Sequence, residues 1–211
     1  MTETLHNLMQ IIDPEFLIKY GGISLLAFII FAETGLFFGF FFPGDSLLFI
    51  AGLMSGTEYL PSHISLLVTI LCVSAFLGNT VGYIFGKKIG EALYDKPDSL
   101  FFKKKYITMT RDFYAKHGGK AIILGRFAPF IRTFAPILAG TAGIDFKKFT
   151  LYNLIGAVLW IPTFLLAGFL LGKTFPQVKD YLHYITAGII LISLIPVVMT
   201  FINERKTSQN K

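Results

Sequence analysis

Residues 20–42, 64–86, 149–172 and 181–202 each stay apolar for about the 20 residues that a helix needs to cross a bilayer core. No other feature restricts the fold as much. Lipid offers no partner to a backbone N–H or C=O, so a spanning segment must satisfy them within a helix or a closed barrel. Runs of this length predict helices. The composition agrees, because 54% of the chain is hydrophobic and only 15% is charged, against about 25% charged in soluble domains. The mean hydropathy of +0.63 points the same way, and 23 phenylalanines suit a chain that faces lipid.

Two further stretches are apolar but break the helical pattern. The first runs from Phe42 through Pro43, Gly44 and Asp45 to Ala51 and Gly52. It is too short to cross, and Pro43-Gly44 interrupts the helix before it. The second, residues 121–144, is long enough to cross yet contains Arg126, Pro129, Arg132 and Pro136. Both end in Ala-Gly, at Gly52 and Gly140, with another glycine close behind at Gly56 and Gly143. The pattern predicts two segments that dip into the bilayer, meet near its midplane and form a weak internal repeat.

The remaining chain reads as support. Gly78, Gly82, Gly86 and Gly90 recur every four residues and form a face that lets another backbone approach closely. Asn79 and Tyr83 flank that face and bring polarity to the interior. Phe102, Tyr106, Met109 and Phe113 have helical spacing among basic residues, between the start signal Pro97-Asp98-Ser99 and the stop Gly118-Gly119. They predict an amphipathic helix on the membrane surface, which His117 helps to finish. Pro162 and Pro196 are expected to kink the helices that hold them. The expected organisation is a segment 1–19, one membrane domain 20–202 and a polar tail 203–211.

Residues 87–120 hold nine lysines and arginines, which places that connection on the cytoplasmic side. If both odd segments dip and return, the N- and C-termini are also cytoplasmic. The formal charge of +6 then belongs to loops and lipid headgroups, and no nucleic-acid partner is expected. The lone Cys72 reads as a packing residue.

Four charges stand where lipid penalises them: Glu33, Asp45, Arg126 and Arg132. Each costs about 2.5–3.5 kcal/mol at the centre of an inserted helix. They are either structural ion pairs or parts of a transport path. Arginines in an interrupted segment suit a phosphate, because guanidinium is planar and always charged. Buried carboxylates can exchange protons. Thr133 is a donor to cargo or to its own backbone. Asn153, Gly156 and Trp160 share one face of the third long helix, with Trp160 packed in the interior. The four histidines are scattered, and no phosphate loop or catalytic constellation is present, so neither enzyme, metal nor cofactor is expected.

These residues in combination resemble the DedA family, which shares the VTT (SNARE-associated Golgi protein) domain. The resemblance rests on Glu33, Pro43-Gly44-Asp45, Ala51-Gly52, the Gly78-Asn79 to Gly86 stripe, His117-Gly118, Arg126-Phe127-Ala128-Pro129, Arg132, Pro136, Ala139-Gly140, Asn153, Gly156 and Trp160. It covers about residues 30–165. It implies facing re-entrant segments and movement of lipid across the bilayer, with bacterial members linked to undecaprenyl phosphate recycling, phospholipid translocation and the proton motive force. The family's functional acids match Glu33 and Asp45, and its essential arginines match Arg126 and Arg132.

The expectation is therefore an all-α integral membrane protein of the bacterial inner membrane, with about four spanning helices, two facing re-entrant segments and one surface helix. It would move an anionic lipid, undecaprenyl phosphate or a phospholipid. Arg126 and Arg132 would hold the phosphate, and Glu33 and Asp45 would carry protons. Pro43, Gly44, Gly52, Pro129, Thr133, Pro136, Gly140, Asn153 and Trp160 would support the site, and Gly78, Gly82 and Gly86 would pack helices. A homo-oligomer is compatible with this reading. The alternatives are a proton-coupled ion or small-solute antiporter and a membrane scaffold that transports nothing.

Overall fold

The structure is a computed structural model that describes residues 14–36, 44–94, 118–175 and 177, together with Asp112, Tyr114 and Lys116. The described residues form six helices and no strand: α1 Pro14–Gly35, α2 Gly44–Met54, α3 Ile64–Tyr94, α4 Gly119–Gly125, α5 Pro129–Thr141 and α6 Phe146–Thr174. The predicted run 181–202 and the tail lie outside the described residues. So do Pro43, His117, Pro196 and the apolar face of the predicted surface helix.

Three helices contain spans long and apolar enough to cross a membrane: Phe16–Gly35, Ile64–Gly90 and Phe146–Thr174. The boundaries differ from those predicted, for local reasons. α1 already includes the six residues from Pro14 that precede the predicted start at residue 20. It stops at Gly35 rather than residue 42, and Gly22 interrupts it with φ 55 and ψ −153. α3 continues past Gly86 through Lys87 and Lys88, because its glycine face still has a neighbour as far as Gly90. α6 opens on a cap in which Asp145 Oδ1 accepts from the Lys148 backbone N–H at 2.9 Å, and it runs on through Pro162.

α3 and α6 are apolar on both faces. On α3, Leu67, Leu71 and Ala75 are buried, while Leu66, Val73, Leu77 and Val81 are exposed. On α6, Ala157, Ile161 and Leu165 are buried, while Leu154, Val158 and Leu166 are exposed. An apolar outer face has no use for water and suits lipid. The core is formed where Leu26, Ile30, Leu47, Leu48, Leu71, Trp160 and Leu165 converge from α1, α2, α3 and α6.

The segment predicted as one dip over 121–144 is two helices. Residues 126–128 form a turn, and Pro129 restarts the helix at its first position after an extended Ala128. α2 and α5 are short, with 11 and 13 residues. At 1.5 Å per residue, roughly 16–20 Å is not enough to cross a hydrocarbon core of about 30 Å. Gly56 and Gly143 lie just beyond their ends with φ 77 and 69, the left-handed conformation that glycine adopts at a helix stop.

The two short helices are seated in the same way. α2 packs on α6, where a Cβ at Gly52 would fall 2.0 Å from Leu165 O, and one at Gly168 would fall 1.9 Å from Phe49 O. α5 packs on α3, where a Cβ at Gly140 would fall 2.1 Å from Tyr83 O, and one at Gly86 would fall 2.0 Å from Ile137 O. Gly172 over Leu53 and Gly90 over Thr141 continue the same correspondence. Each joint therefore has backbone directly against backbone, with matching spacing along both partners. The internal repeat, weak in sequence, is explicit in the backbone. Each short helix docks on the long helix that follows the other short helix.

Candidate functional site

Asp45 sits in the first turn of α2, Glu33 near the end of α1, Arg132 on α5 and Trp160 on α6. The fold brings all four together. Arg132 Nη1 donates to Asp45 Oδ1 at 2.7 Å, and Arg132 Nη2 donates to Glu33 Oε1. Trp160 Nε1 donates to the same Asp45 oxygen at 2.9 Å, and the Arg132 guanidinium lies 4.3 Å from the Trp160 ring centre. Thr133 Oγ1 donates to Glu33 O at 3.1 Å, so it is used on a neighbouring helix rather than on its own backbone.

Gly44 is a spatial necessity here. A Cβ on it would stand 1.6 Å from Glu33 Oε2. Both acids therefore lie at the N-terminus of α2, where the helix dipole favours negative charge. One guanidinium and one helix end together hold two carboxylates, all within the protein interior: Glu33 is 0% exposed and Arg132 2%.

Arg126 is organised differently. It occupies the turn between α4 and α5 and is 1% exposed. Its Nη2 donates to Asn153 Oδ1 and, at 3.5 Å, to Ala75 O. Asn79, with its amide oriented to satisfy both ends, donates from Nδ2 to Thr34 O at 2.9 Å and accepts from Arg126 Nη2 at 2.9 Å. Asn153 Nδ2 donates to Phe76 O at 3.1 Å and Thr80 Oγ1 at 3.3 Å. Among the described residues no carboxylate pairs with Arg126, and its Nε and Nη1 have no hydrogen-bond partner. Gly156 makes room for the stem, since a Cβ there would lie 2.7 Å from Arg126 Cδ.

The other expected residues fall around these two centres. Gly78 lies against α1, where a Cβ would meet Thr34 Oγ1 at 2.1 Å. Gly82 faces Pro136, with a Cβ-to-Cγ separation of 3.4 Å, and Gly86 and Gly140 form the α3–α5 joint. Gly52 belongs to the α2–α6 joint, and Pro129 starts α5. Nothing in the sequence connects Asn79 to Arg126 or Trp160 to Asp45. The available signal for Asn79 was its place beside Gly78 on a buried face, where an amide needs partners. Among the described residues no group of three or more His, Cys, Asp and Glu could hold a metal ion.

A family model for the VTT domain matches residues 42–170. The chain is 41% identical over 185 residues to Protein DedA of Escherichia coli K12, covering 88% of this chain and 84% of that one. It is 38% identical over 205 residues to an uncharacterized membrane protein of Mycobacterium leprae, covering 94% and 90%. It is 32% identical over 206 residues to inner membrane protein YqjA of Escherichia coli K12, covering 93% and 90%. No solved structure matches the chain.

Proposed function

We propose that this chain, which belongs to the DedA family of VTT-domain membrane proteins, carries an anionic lipid across the bacterial inner membrane, with the lipid phosphate received at Arg126. The observation that carries this reading is the contrast between the two buried arginines. Arg132 is engaged by Glu33 and Asp45. Among the described residues Arg126 has no acid beside its positive charge, and two of its nitrogens are unpartnered against one of Arg132's. A buried guanidinium left in that condition costs several kcal/mol, which an incoming phosphate would offset through charge-assisted hydrogen bonds.

In this reading α2 and α5 are re-entrant helices that enter from opposite sides of the bilayer. Their matched joints support it, because a two-fold exchange of short helices is how inverted repeats are built. Arg132 is a second station for the phosphate, opened when Glu33 or Asp45 takes a proton and loosens its hold. Undecaprenyl phosphate and phospholipids present the chemistry that such a site recognises. The termini and the basic 87–120 connection then face the cytoplasm.

One observation favours a second reading. The Arg132 cluster is fully buried and joins α1, α2, α5 and α6, as a structural fastener in a membrane scaffold would. Proteoliposomes separate the two. Labelled polyprenyl phosphate and labelled phospholipid are followed across the bilayer, with and without a proton gradient, for wild type and Arg126→Gln. The transport reading expects movement by wild type and loss in the variant, and gradient dependence would implicate Glu33 and Asp45. No lipid movement by correctly folded wild type would leave the scaffold.

A further inference from the structure

The two asparagines around Arg126 are arranged to hold its charge without cancelling it. Each amide is oriented by a backbone carbonyl on its nitrogen side. Asn153 Nδ2 donates to Phe76 O, and Asn79 Nδ2 donates to Thr34 O. With both nitrogens occupied in this way, both amide oxygens face Arg126 and converge on one nitrogen, Nη2. Asn79 is 1% exposed and Asn153 0%. The amides come from different elements, α3 and α6, which fixes the guanidinium from two sides. Among the described residues all of this contact falls on Nη2, and Nε and Nη1 have no hydrogen-bond partner.

An amide and a carboxylate have nearly the same shape. Aspartate at either position would also place an oxygen on Nη2, and it would neutralise the guanidinium. The same protein does this at Arg132, with two carboxylates. The neutral amides thus give the same anchoring geometry with the opposite electrostatic result.

Resting on the proposed lipid-anion reading, we infer that Asn79 and Asn153 are positioning residues that keep Arg126 as an open, uncancelled cation for a phosphate monoester or diester headgroup. They set specificity for an anion by leaving the charge unmatched. Asn153→Asp and Asn79→Asp each supply the missing negative charge with little change in volume. Each variant is expected to fold and to lose anion binding: pairing of the buried charge stabilises it, while the oxygen that replaces the amide N–H against Phe76 O or Thr34 O works the other way. A purely structural role for the amides predicts that any aspartate variant that folds keeps its anion binding.

The test is equilibrium binding of radiolabelled dodecyl phosphate, and separately of inorganic phosphate, to detergent-purified full-length protein, with melting temperatures recorded alongside. Wild type should bind dodecyl phosphate, and both aspartate variants should bind it at least tenfold more weakly while remaining folded. Preference for dodecyl phosphate over inorganic phosphate assigns the site to a lipid headgroup, and equal binding assigns it to free phosphate. Arg126→Gln, which removes the charge, should lose binding to the same extent and covers the case in which an aspartate variant does not fold. Aspartate variants that bind as wild type does, or an Arg126→Gln protein that does, would overturn the inference. So would a folded wild type that binds neither probe. Wild type that binds the anion but moves no lipid in liposomes would leave the inference standing and remove the transport reading instead.

Discussion

α2 and α5 are held by the same joint and carry opposite chemistry. In each, a glycine of the short helix meets a carbonyl of a long helix, and a glycine of the long helix meets a carbonyl of the short one, at matched spacing. Seven residues before the joint glycine, α2 has Asp45 and α5 has Thr133. The turn leading into α5 contains Arg126, with Arg132 in the helix, whereas α2 meets Glu33 from α1. The scaffold is duplicated and the charge is not. An acidic short helix and a basic one, brought face to face, close on one guanidinium and two carboxylates, and one guanidinium is left over. That surplus is the observation on which the proposed anion site rests.

The strongest way to break this comparison is to remove the shared contact. Arg132→Ala strands Glu33 and Asp45 in the interior without a cation. Loss of one partner of a buried pair costs about 3–5 kcal/mol, so the variant should melt far below wild type in detergent. Adding Glu33→Gln and Asp45→Asn to it should recover much of the loss, since the charges then go together. A single variant as stable as wild type would mean that the acids do not depend on Arg132.

The duplication is sharpened by matched substitutions. Gly52→Ala and Gly140→Ala each place a Cβ about as close to a facing carbonyl, 2.0 and 2.1 Å away. Overpacking of this kind costs about 1–3 kcal/mol, and the two variants should lose similar amounts in thermal melts. Unequal losses would show that the joints differ in compliance despite their matching geometry.

Much of the architecture was legible in the sequence, because its causes are local. The spans are set by apolar run length, and the glycine stripe of α3 is set by its four-residue spacing. The four charges stood out because lipid makes each of them costly. Pairing was not legible. Arg126 and Arg132 are six residues apart and look equivalent, yet the break at residues 126–128 sends one toward the amides of α3 and α6 and the other toward the acids. Asn79 looked like a residue flanking a packing face, and its role depends on Thr34 and Arg126, which come from remote parts of the chain. The helical character of residues 14–19 was hidden because Glu15 and Lys19 interrupt the apolar run there.

The smallest expected effect concerns Thr133, the α5 counterpart of Asp45. Thr133→Val removes a hydrogen bond to Glu33 O and leaves the shape intact. A neutral hydrogen bond of this kind is worth about 0.5–1.5 kcal/mol. Melting should fall slightly and lipid movement should persist. Loss of transport without loss of stability would give Thr133 a role at the cargo that its present contact does not require.

The central claim is that Arg126 is held uncancelled so that it can receive an anion. The most direct measurement is lipid movement in proteoliposomes containing Arg126→Gln, read beside the melting temperature of the same protein. The account predicts that transbilayer movement of polyprenyl phosphate is lost while the melting temperature equals or exceeds that of wild type, because an unmatched buried charge has been removed. Transport at the wild-type rate by the folded variant would contradict it.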